Sequence, residues 1–139
     1  MATLESYRNE AFVAFCNQTL KDFLQDNHVV KSVILATVDG FEVSSAALDT
    51  QYSGDKLAAV SSTLFTLASS LVNEFSLNGC KSVTIDSDKG KVYLSSIKAG
   101  QKSLILMLQS NQSAILAHIL HGAGKLSAII GEKLDEMVK

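Results

Sequence analysis

Apolar positions along the chain change period several times, and each change marks an element. Between residues 5 and 27, Phe12, Phe15, Cys16, Thr19, Leu20, Phe23 and Leu24 recur at helical spacing, with Arg8, Glu10, Lys21, Asp22 and Asp26 among them. That spacing predicts an amphipathic first helix. KSVILATV (31–38) is a β-branched, apolar run, and FEVSSAAL (41–48) follows it after Asp39-Gly40. Both central positions of a type I′ turn need φ > 0, which Asp-Gly tolerates, so the two runs read as a hairpin. A phosphate-cradling loop would carry more glycines and open a helix, whereas Phe41, Glu42 and Val43 continue as strand.

A second helix is expected over 53–77, with Ser53 as its cap and Asn78-Gly79 closing it. KSVTIDS, KVYLSSI and KSLILMLQS then alternate with short glycine-bearing turns, the pattern of a three-stranded meander. A third helix is predicted from Ser113 to Glu136, with Ile115, Leu116, Ile119, Leu120, Ala123, Leu126, Ile130, Leu134 and Met137 on its apolar stripe. The order is α-β-β-α-β-β-β-α. SVILATV and SLILML are apolar on both alternating faces, as neighbours in the middle of a sheet covered on both sides would be. The fold class is therefore α/β of the α+β kind, a five-stranded antiparallel sheet with helices on both faces. Residues 1–139 are read as one domain, with 1–29 an amphipathic helix packed on it.

Between Lys56 and Glu74 the second helix carries no ionisable side chain. Leu57, Val60, Leu64, Leu67, Ala68, Leu71 and Phe75 form a stripe expected to lie on the sheet. The opposite side offers small or neutral residues, with Phe65 among them, where a solvated helix would carry lysine and glutamate. One reading is a Ser/Thr-rich face turned to water. The reading adopted is a contact with a second copy, because charge-depleted surface with an aromatic is typical of interface cores. The strand after Asn78-Gly79 is expected at the sheet edge, where pairing across the same axis would protect its backbone.

Composition narrows the function. The 139 residues are 47% hydrophobic and 19% charged, with formal charge -2 and Arg8 as the one arginine, which disfavours gripping a nucleic-acid backbone. No apolar run approaches the roughly 18 residues of a membrane span. The start lacks a signal-peptide layout, and Cys16 and Cys80 stand apart without a CxxC, so a cytoplasmic protein with reduced thiols is expected.

Catalytic chemistry finds little support. His118 and His121 lie one turn apart, but no adjoining cysteine or carboxylate completes a metal set. Asp86 and Asp88 flank a hairpin turn and lack a general acid/base partner. Neither cysteine adjoins a histidine motif. Gly122 and Gly124 each cost a helix about 1 kcal/mol against alanine, which suggests close packing or a kink. Lys81, Lys89, Lys91, Lys98 and Lys102 fit a solvated sheet end as well as an anion-binding patch. No enzyme, cofactor or metal is expected.

ILATVDGFEVSS, DKLAAVSSTLFTLASSLVNEF, SVTIDSDKGKVYLSSI and SLILMLQSNQSAILAHIL, in that order over roughly residues 30–135, resemble the Roadblock/LC7 family. The resemblance implies one helix on one sheet face and two on the other, and dimers that pack the middle helices and join edge strands. It implies Ala58, Ser62, Phe65, Ser69 and Val72 at the dimer contact, with Val83 to Ile85 at the sheet junction. Family members are dimeric platforms or regulators for small Ras-like GTPases. Those similar to the gliding-motility regulator bind one GTPase with two protomers and promote hydrolysis without donating an arginine. The expected function is thus a homodimeric, non-enzymatic GTPase regulator or effector platform. A dimeric scaffold with no nucleotide-dependent role is the alternative, and a small-molecule sensor stands further off. The first helix, longer and more aromatic than a minimal domain requires, leaves open an added partner site or a cover for the sheet.

Overall fold

The computed structural model describes residues 9–48 and 52–137. The elements are α1 (Glu10–Asp26), β1 (Val30–Thr37), β2 (Glu42–Ala47), α2 (Gly54–Glu74), β3 (Ser82–Ser87), β4 (Gly90–Ala99), β5 (Lys102–Ser110) and α3 (Leu116–Met137). The order is the one expected from the sequence. Arg8 and the first residues of the expected helix lie outside the described residues.

The sheet is antiparallel throughout, in the order β2-β1-β5-β4-β3. The two strands apolar on both faces, β1 and β5, are adjacent, pairing Ile34 with Met107 and Leu35 with Leu106. β3 lies at one edge and β2 at the other. Because the side-chain period is two, register divides the residues cleanly between faces. Val33, Leu35, Leu104, Leu106, Leu108, Tyr93 and Ile97 join Phe12, Cys16, Leu20 and Leu24 of α1 and Ile119, Ala123, Leu126, Ile130 and Leu134 of α3 in the larger core. On the other face Ile34, Ala36, Leu94 and Met107 meet α2 through Ala58, with Leu57, Leu64 and Phe65 packed around them. The first helix is a cover for the sheet: the Asn9 side chain caps it by accepting from Ala11 N at 3.0 Å and Phe12 N at 3.2 Å. Ser44 Oγ of β2 donates to Asn17 Oδ1 on α1.

The first turn differs from the one expected. Val38, Asp39 and Gly40 form a three-residue loop: Gly40 N donates to Thr37 O at 3.0 Å and Thr37 N to Phe41 O at 2.8 Å. Of the Asp-Gly pair only Gly40 takes a positive φ, 97°, whereas a type I′ turn needs two. A register shift between Leu35 and Ala36 accompanies it, so the hairpin is bulged and Asp39 stays in ordinary backbone space.

Ser53 caps α2, its Oγ accepting from Lys56 N at 3.3 Å. At the other end Leu77 N donates to Val72 O at 3.2 Å and Ser76 N to Asn73 O at 3.0 Å, closing a Schellman-type stop with Ser76 at φ 55° where glycine is usual. In α3 the two glycines separate in role. A Cβ on Gly122 would lie 3.4 Å from Phe23 and Asn27, so this glycine lets α3 approach α1 closely, while Gly124 faces open space.

Candidate functional site

α2 lies on the sheet by only part of the stripe its hydrophobicity predicts: Leu57 and Leu64 pack there, but the helix is rotated toward its small residues. Ala58, Ser61 and Ser62 are its buried residues, and Phe65, Ser69 and Val72 are half-buried on the same side. Val60, Leu67, Leu71 and Phe75, expected beneath the helix, are exposed, Leu67 and Leu71 to 62% each. Ala58 and Ser62, expected at a contact with a second copy, are enclosed within the protomer. Phe65, Ser69 and Val72 turn the same way and offer only part of their surface.

The reason is how closely the backbones approach. Ser62 Oγ donates to the carbonyl of Val38, and a Cβ on Gly40 would sit 3.3 Å from Ala59 Cα. Only small side chains permit such contact between a helix and a hairpin tip. The helix hydroxyls are accommodated by bonding within the helix, Ser69 Oγ to Phe65 O and Thr63 Oγ1 to Ala59 O, both at 2.9 Å.

Seated by its small side, α2 covers part of its sheet face and leaves the rest open. The open part is an apolar groove of about 350 Å³, lined among others by Leu57, Val60 and Leu64 of the helix and by Ile85, Val92, Leu94 and Met107 of the sheet. Val83 and Ile85 point onto this face because they pair with Leu94 and Val92. Val83 is half-buried and Ile85 exposed, so these two expected junction residues do border open surface on the edge strand. Every other residue of β3 is exposed. Sequence reasoning missed Val60, Leu67 and Leu71 as surface, although an apolar residue with no charged neighbour was the signal.

Other candidate chemistry stays apart. Among the described residues no three of His, Cys, Asp and Glu are placed to hold a metal ion. His118 and His121 line a groove between α1 and α3, with Asp22, Asp26, His28 and Lys125 also at its rim. Asp86 pairs with Lys91 across the β3–β4 hairpin at 2.7 Å, which takes up one lysine of the meander cluster. Cys16 is fully buried, and desolvation pushes its thiol pKa from 9.0 to about 12, an inert state for a thiol. Cys80 is partly exposed, its Sγ donating to Ser82 O at 3.4 Å. No described helix is long and apolar enough to cross a membrane.

Comparison with solved structures gives the same fold. Myxococcus xanthus MglB superposes with a TM-score of 0.83 at 18% identity, over 94% of this chain and 95% of that one. A Roadblock/LC7 domain from Streptomyces avermitilis has a TM-score of 0.74 at 23% identity, over 85% and 96%. The gliding protein MglB from Thermus thermophilus gives 0.79 at 13% identity, over 92% and 93%. No curated protein sequence matches. The Roadblock/LC7 domain model matches residues 16–110, and the chain belongs to that family.

Proposed function

We propose that this Roadblock/LC7 chain is a homodimeric, non-catalytic regulator or effector platform for a small Ras-like GTPase, acting in the cytoplasm. The observation that carries the dimer is the half-covered sheet face beside an unpaired edge strand. An exposed edge is a template for pairing, and apolar groove and free edge adjoin at Ile85.

The geometry favours a twofold through β3. The groove lies toward the sheet end that carries Ser32, Val92 and Gln109. Leu77 to Lys81, just beyond the C-terminal end of α2, lie near Ser96 and Lys98 at the opposite end. Antiparallel pairing of β3 with its copy sets opposite ends side by side. The partner's α2 then brings its own Leu67, Leu71 and Phe75 toward the groove, and two sheets become one of ten strands. Membership of the Roadblock/LC7 family, whose members serve small Ras-like GTPases, and a fold close to that of MglB support the GTPase half of the reading.

Light scattering on the eluting protein tests both halves, alone and mixed with the host's small Ras-like GTPases carrying GDP or a non-hydrolysable GTP analogue. The expected result is a dimer that co-elutes with a GTPase in the triphosphate state and changes its hydrolysis rate. A dimer indifferent to every GTPase in both states would make the protein a scaffold, and a monomer would remove the twofold.

A further inference from the structure

The loop between β1 and β2 combines features that a chain-reversing turn does not require. Val38 and Phe41 flank it with half their surfaces exposed, 50% and 49%. Exposed apolar side chains on a turn gain nothing for the fold. Yet the backbone carrying them is held from several sides: Ser62 Oγ donates to Val38 O, Phe41 N donates to Thr37 Oγ1 at 3.0 Å, and Gly40 lies against Ala59 Cα. Asp39 sits exposed between them and pairs with no cation among the described residues. Two apolar side chains around an exposed carboxylate are thus presented on a mount tied to α2, so little conformational freedom remains to be lost on binding.

The surroundings fit a protein contact. Beside the tip runs the flank of α2 formed by Ala59, Thr63, Thr66 and Ser70, all exposed and uncharged. This flank is opposite the one bordering the groove, where Leu57 and Leu64 lie. A second copy seated over the groove leaves tip and flank free, on the same sheet face as the paired helices. Among the tip and flank residues Asp39 carries the one formal charge, with Glu42 next to the tip in the hairpin and Asp55 and Lys56 one helical turn before Ala59.

We propose that the tip from Val38 to Phe41 is the element by which the dimer grips its GTPase, seating Val38 and Phe41 in shallow apolar sockets around a lysine or arginine of the GTPase that pairs with Asp39. This rests on the function proposed above and adds the contact residues and the partner's complementary chemistry.

The experiment is isothermal titration of the intact protein with each GTPase in each nucleotide state, using the wild type, Val38→Ser, Phe41→Ser and Asp39→Lys. Each variant is first checked for dimer mass and circular dichroism. Because all three side chains are exposed, folded dimers are expected. Each serine variant is expected to weaken binding about tenfold or more, as truncation of a central anchor does. Asp39→Lys should weaken it similarly, and Asp39→Asn should flatten its dependence on salt. Wild-type binding that the folded variants retain would overturn this contact and leave the GTPase reading intact. A wild-type dimer that binds no GTPase would overturn the reading itself. Uptake of the wild type on neutral phosphatidylcholine vesicles, lost in the serine variants, would assign the tip to a lipid surface and overturn the proposal as well.

Discussion

Ser62 donates its hydroxyl to the carbonyl of Val38, tying the middle helix to the tip of the first hairpin, and the bond is buried on the helix side. A residue expected to face another molecule therefore holds the protomer's own two halves together.

Ser62→Ala should lower stability by about 1 kcal/mol, the usual net value of such a bond, with an addition for the orphaned carbonyl. Gly40→Val should cost more, about 2 kcal/mol, since a β-branched side chain at φ 97° is strained and its Cβ presses on Ala59. Urea denaturation of each variant at equilibrium measures both. Equal midpoints for wild type and Gly40→Val would contradict the close approach.

A lysine scan along α2 separates folding from assembly. Phe65→Lys places a charge against the sheet beside Ile34 and Ala36 and should give insoluble or unfolded protein. Leu67→Lys, at an exposed position, should keep the circular dichroism of the wild type while shifting the scattering mass from dimer to monomer. A Leu67→Lys protein that remains dimeric at low micromolar concentration would place the twofold elsewhere.

This contrast also locates what the sequence could convey. Element order, the adjacency of β1 and β5, and the edge position of β3 follow from local period and composition, which are properties of a segment alone. Which side of α2 faces inward does not. Both sides lack charge, so hydrophobicity ranks leucine above alanine and serine, and it selects a stripe of which only Leu57, Leu64 and Ala68 turn even partly inward. The decision rests with Gly40 and Ala36 beneath the helix, whose nearness favours small side chains, and that is a tertiary quantity. The turn at Asp39-Gly40 escaped for a related reason: its form depends on the register shift at Leu35, set by two strands together.

Ser76→Gly is expected to stabilise the protein by about 1 kcal/mol. Ser76 holds φ 55° to end α2, a region glycine enters without steric cost, and its backbone bond to Asn73 would remain. Thermal melting should show a higher midpoint, and a lower one would mean that the serine hydroxyl contributes more than the strain removes.

Cys16 makes stability depend on alkaline pH. Its folded pKa is about 12 against 9.0 for an exposed thiol, so between these values the unfolded chain binds fewer protons than the folded one. The contribution is complete below pH 9 and is lost as pH rises toward 12, with a limiting slope of about 1.4 kcal/mol per pH unit. Cys16→Ala should reduce that slope. Below pH 9 a thiol reagent should modify Cys80 in the native protein and leave Cys16 untouched until unfolding.

The pairing of β1 with β5 has a consequence in time. Ser32 Oγ bonds Gln109 Oε1 across 77 positions of chain, and every pair along the seam between these strands joins segments far apart in sequence. Loop closure of that length precedes any gain from the contact, so the hairpins on either side can form early while the seam forms last. During synthesis β1 must wait with one side unpaired until β5 has left the ribosome, and that interval is when the nascent chain is most exposed to mispairing.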